Sequence, residues 1–151
     1  MKKEFQKKLT NIINSTVTYC RAGGGTGSII MIELNKDNIQ YGLWLNCVWR
    51  IENDSKIIAT SADDIAPNTG LIAKSAKLLE GKKVVSFELS KFNDLFIEFS
   101  DNLFVRIFNI ASYSNTDDYN WDFWIPSEDL SFEITNRFKV KKGKYYSSSP
   151  N

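Results

Sequence analysis

The sequence predicts an α+β domain. Two similar halves, each a helix followed by an antiparallel meander, form one mainly antiparallel sheet or partly open barrel covered by the two helices. Three observations predict it. Apolar residues recur at three- and four-residue spacing in two segments, each followed by short runs rich in β-branched and aromatic residues. Asn, Asp and Gly clusters separate those runs. The connections between successive runs are too short for parallel crossovers, so neighbouring strands pair antiparallel.

The first helix is expected over residues 3–14, where Phe5, Leu9, Ile12 and Ile13 form one stripe between lysines, and Asn14 and Ser15 stop it. Short strands follow at 17–20 and 29–34, joined by the loop AGGGTGS, whose glycines permit the positive φ of a tight hairpin turn. A turn at residues 35–38 leads into IQYGLWLNCVWRI, a bent strand or two strands meeting near Asn46, with Gly42 marking a bulge. After the Asn53–Asp54 turn comes the strand IIATS, then the polar crossing SADDIAPNTG.

The second helix is expected over residues 70–80, with Asn68 or Thr69 as N-cap, Leu71, Ile72, Leu78 and Leu79 buried, and Gly81 as the left-handed stop. Strands VVSFELS, LFIEF and LFVRIF follow through tight connections. Beyond the polar loop ASYSNTDDYN lie WDFWI and SFEIT, then a segment RFKVKKG that starts as a strand. Residues 1–145 form a single globular domain, and 146–151 read as a flexible tail.

The two halves, about 3–61 and 70–136, share this order of elements. VWRIENDSKIIATS aligns without gaps against FWIPSEDLSFEITN, pairing Trp49 with Trp124 and Thr60 with Thr135. An internal duplication explains the match, as does binary patterning of two helix-plus-meander units. Either way, both helices are expected on one face of the sheet, with the tryptophan strands closing the core.

Composition removes several function classes. With no histidine among 151 residues, serine or cysteine triads that depend on one are excluded, while carboxylate, lysine and tyrosine chemistry stays open. No carboxylate pair announces such an enzyme, and a non-enzymatic protein is expected. Asp63–Asp64 and Asp117–Asp118 lack the alternating spacing of a calcium loop, and no metal or other cofactor is expected. Cys20 and Cys47 are expected as buried free thiols. No run approaches the ~18 apolar residues of a membrane span, and the N-terminus lacks a signal-peptide run, so a cytoplasmic address and no membrane contact are expected. GGGTGS lacks the lysine and following helix of a phosphate-binding loop, which favours a flexible hairpin connection over an anion site.

A net charge of +1 conceals strong polarity. Residues 93–133 hold nine carboxylates against Arg106 alone, while lysines and arginines gather at both ends. The basic C-terminal stretch offers phosphates only salt-sensitive, unspecific affinity, which makes nucleic acid an unlikely partner. The sharpest acidic stretch is DDYNWDFW, where Asp117, Asp118, Tyr119, Trp121 and Asp122 combine carboxylates with hot-spot aromatics and form the candidate partner-binding set. Alternation places Trp121 and Phe123 on the face opposite Trp124. A solvated acidic loop beside ordinary core aromatics is the competing reading.

The pattern NDLFIEFSDNLFVRIFN, then YNWDFWIPSEDLSFEIT, resembles the C-terminal portion of small bacterial proteins of the toxin-immunity type. LWLNCVWRIENDSKIIATSADDIAPN is similar to a segment of the same group. The resemblance rests on strands and tryptophans. It implies a stoichiometric inhibitor that binds a protein partner, such as a basic toxin domain, and it carries over no catalytic residue. A small-ligand or nucleic-acid module using the curved sheet face, the glycine loop and the basic ends is the alternative.

Overall fold

The computed structural model describes residues 1–111 and 118–145. It is an α+β arrangement of two helices and eleven strands among the described residues, and every strand pairing is antiparallel. The helices are α1 (Lys2–Leu9) and α2 (Leu71–Leu79). The strands are β1 (Thr16–Arg21), β2 (Ile30–Lys36), β3 (Ile39–Leu45), β4 (Val48–Glu52), β5 (Ile57–Thr60), β6 (Val84–Leu89), β7 (Leu95–Phe99), β8 (Leu103–Phe108), β9 (Tyr119–Ile125), β10 (Leu130–Thr135) and β11 (Val140–Gly143).

The strands divide between two sheets, neither of them closed, where one sheet or a partly open barrel was expected. The first has the order β1-β2-β3-β9-β10-β11 and the second β5-β4-β8-β7-β6. The division follows from the bend at Asn46 and Cys47: β3 belongs to the first sheet, and β4, starting at Val48, to the second. An isolated bridge between Thr16 and Lys83 ties β1 to β6 at one corner.

Inward positions of both sheets, with Phe5, Leu9 and Ile12, form one buried cluster. The first helix ends earlier than its apolar stripe, because a 3-10 turn over Thr10–Ile12 carries Ile12 into the core. Phe5 packs its ring against Trp121 and Phe132 at centroid distances of 5.7 and 5.4 Å. The second helix lies against β1 and β5, one edge strand from each sheet. It starts after Gly70, and its buried face is Ile72, Ser75, Ala76 and Leu79, while Leu71 and Leu78 are exposed. The small Ser75 and Ala76 let the helix approach closely, which a count of large apolar residues overlooks. Gly81, at φ +82°, ends the segment as expected, and its N–H donates to the Val17 carbonyl.

Trp49 and Trp124 do not sit alike. Trp49 is fully buried and donates its Nε1–H to the Ser28 carbonyl at 2.6 Å. Trp124 lies on the outer face of the first sheet over Gly42, where a Cβ would collide with its ring. Gly42 is therefore a seat for an indole within regular β3–β9 pairing. Both cysteines are buried and free, and burial pushes each thiol up to about 12.

Candidate protein-binding site

Of the five residues that DDYNWDFW offers as contacts, four are described, and the fold brings two of these to the surface. Asp118 is exposed, and its carbonyl accepts the Asn136 N–H at 3.0 Å. Tyr119 is half-buried beside Thr135, and burial, then Asp122 and Glu133, pushes its phenol up to about 12. Trp121 is a core residue at 0% exposure, with its Nε1–H on the Asn93 carbonyl at 3.0 Å. Asp122 is 8% exposed, cross-strand from Trp44 and Glu133, and accepts the Trp124 Nε1–H at 3.0 Å. Asp117 lies outside the described residues. Trp121 and Asp122 are thus both buried: alternation separated Trp121 correctly from Trp124 and left open which of the two faces inward.

What surrounds Asp118 and Tyr119 was not legible in their own segment. Phe92, in the β6–β7 turn, is 52% exposed, and Ile110, just after β8, is 53% exposed. Phe138, between β10 and β11, sets its ring 5.6 Å from that of Phe92. Three asparagines hold the backbone of these three residues. Asn93 donates its side-chain amide to the Phe138 carbonyl at 2.8 Å, and Asn109 donates to the Phe92 carbonyl at 2.8 Å. Asn120 accepts the Ile110 N–H at 2.9 Å and donates to its carbonyl at 3.2 Å. The same Asn120 amide reaches the Thr135 carbonyl at 3.1 Å, tying the group to β10.

Phe138 adopts φ +61°, a left-handed conformation that a bulky residue takes at a cost of about 1–3 kcal/mol. Its N–H on the Thr135 carbonyl and its own carbonyl under Asn93 hold it there. Asp94 fixes the neighbouring turn by accepting the Asn109 N–H at 2.7 Å and the Ser90 hydroxyl at 2.9 Å. The result is an exposed apolar platform on preset backbone, adjoining Asp118 and Tyr119. The sequence signal was an apolar residue inside a turn, Phe92 between Lys91 and Asn93, and it was outweighed by the turn chemistry around it.

The other candidate chemistry resolves into structural roles. Asp63 accepts the Thr60 N–H and Asp64 the Ala66 N–H, both within turns. Among the described residues no group of three or more Cys, Asp or Glu side chains converges as a metal site would require. The glycine loop folds into a 3-10 turn over Gly24–Thr26 docked on the segment before α2, with the Gly24 N–H on the Ile65 carbonyl at 2.7 Å and Gly23 close to Ala73. No described helix is long and apolar enough to cross a membrane. In comparison with known proteins, the chain matches no family model, no curated protein and no solved structure.

Proposed function

We propose that the chain is a non-enzymatic, protein-binding inhibitor of the immunity type, which neutralises a bacterial toxin or effector by stoichiometric contact. The observation that carries this reading is the platform of Phe92, Ile110 and Phe138 beside Asp118 and Tyr119. Apolar anchors with a charged neighbour are the anatomy of an interface centre and its rim. The acidic stretch steers a basic partner toward it. Titration calorimetry against the product of the adjoining gene tests the reading. Wild-type protein should bind one to one, and Phe92→Ser with Phe138→Ser should weaken binding at least tenfold. Absence of binding, or equal affinity of the double variant, contradicts it.

The scaffold is a duplicated unit. In its support, β1-β2-β3 pair onward with β9-β10 in one sheet, as β6-β7-β8 pair with β4-β5 in the other. The tryptophans that correspond are Trp49 and Trp121, whose indoles reach carbonyls two residues before β2 and β7. This replaces the pairing of Trp49 with Trp124.

One observation favours a small anionic ligand as a second reading. A cleft of about 540 Å3 between the glycine loop and α2 is lined by Arg21, Lys74 and Lys77. Inorganic phosphate raising the melting temperature of wild type, and not of Lys74→Gln, supports it, and no shift removes it.

A further inference from the structure

An antiparallel sheet face open to water ordinarily carries polar side chains, and the outer face of the second sheet carries phenylalanines. Phe96 on β7 and Phe104 and Phe108 on β8 are half-buried, and Val48 beside them is 45% exposed. Among these rings Arg50 and Arg106 stand directly opposite each other across β4 and β8. The Arg50 guanidinium lies 5.0 Å from the Phe108 centroid, and that of Arg106 lies 5.3 Å from Phe96.

Like charges in register destabilise a strand pair, and here one carboxylate answers both. Glu52 accepts the Nε–H of Arg50 and, at 3.0 Å, that of Arg106. Partial burial pushes Glu52 upward, but the two arginines outweigh it and hold its carboxyl below the ordinary value. Two guanidiniums and one carboxylate leave a charge of +1, and the Nη groups of both arginines donate no hydrogen bond among the described residues. A shallow hollow of about 190 Å3 adjoins Arg106, lined by Phe96 and Phe104 and bordered by Glu88 and Glu98.

We propose that this face binds a protein segment that places one Asp or Glu carboxylate between Arg50 and Arg106 and an apolar neighbour in the hollow over Phe96 and Phe104. A second carboxylate completes an alternating square with Glu52, and guanidiniums already stacked on rings present their Nη forks without further ordering. Charge complementarity selects a single carboxylate over a polyanion, because Glu88 and Glu98 pair in register with Phe96 and Phe104 and share their face. Those carboxylates repel a phosphate backbone, and the guanidiniums occupy ring faces that bases would need. The surface is distinct from the Phe92 platform and does not depend on it.

The test is an NMR titration of the full chain with the capped tripeptide acetyl-Leu-Glu-Leu-amide, following the arginine Nε–H resonances. Saturable shifts at Arg50 and Arg106 are expected, at least tenfold weaker binding for Arg106→Gln, and several-fold tighter binding for Glu52→Gln. The Gln-containing tripeptide should leave both resonances in place. A dispersed spectrum of each variant establishes that it folds. Absent shifts, shifts given equally by the Gln peptide, or no loss in Arg106→Gln overturns the proposal. So do concentration-dependent shifts without peptide, which identify a second copy as occupant, and stronger shifts with a single-stranded oligonucleotide.

Discussion

Trp49 and Trp121 are both fully buried, and each donates its indole N–H to a carbonyl two residues before a strand, Ser28 before β2 and Asn93 before β7. Their surroundings differ. The loop over Trp49 is built of glycines and packs down on Ala73 and Pro67. The loop over Trp121 holds Phe92 outward, with the ring of Phe138 tilted against it. An indole pinned from below fixes where a loop sits, and the residues of the loop decide what it shows to a partner. Core anchoring and surface chemistry are thus separable, and mutations should divide accordingly.

The largest effects belong to the anchors. Trp49→Ala and Trp121→Ala should each cost about 3–5 kcal/mol in urea unfolding, through lost burial and a carbonyl left without its donor. A cost at Trp121 far below that at Trp49 breaks the comparison. Next comes Asp122, the charged group on the outer side of the Trp121 strand. Burial, with help from Glu133 and against the Trp124 hydrogen bond, pushes its carboxyl up to about 7, while an unfolded aspartate titrates near ~3.9. The folded chain therefore holds a proton that the unfolded chain releases between those values. Stability contributed by the protonated form is present below the unfolded pKa and is lost as pH rises through about 7. Asp122→Asn should raise stability relative to wild type by on the order of 2 kcal/mol at pH 8 and hardly change it at pH 4, as paired urea curves will read. An equal difference at both pH values contradicts the burial.

A smaller effect separates anchor from platform. Asn93→Ala, which frees the Phe138 carbonyl, should cost about 1–2 kcal/mol, whereas Phe92→Ser on the exposed surface should cost under about 0.5 kcal/mol. Thermal melts rank the two, and the reverse order would make Phe92 a structural residue.

Parts of this fold were legible because local chemistry decides them. Asp37 and Asn38 both take positive φ in the two-residue β2–β3 turn, as an Asp-Asn pair at that place invites. Gly81 ends α2 for the same reason. The partition into two sheets was not legible, since the strand order within each depends on pairings such as β3 with β9, between residues about eighty positions apart. Nor was the inward side of β9. Residues 120–125 are all buried, Trp121 by the core and Trp124 by its seat on Gly42, so polarity does not alternate there to mark one face. Sequence reasoning named Asp118 and Tyr119 and passed over the neighbouring Phe92 and Phe138, because these are joined by asparagine bonds and a ring contact across turns far apart in the chain.

Hydrogen exchange of the chain, alone and with the product of the adjoining gene, tests the central claim most directly. The account predicts slowed exchange at residues 92–93, 110–111, 118–119 and 137–139, around the platform. Complex formation without protection in those segments would contradict it.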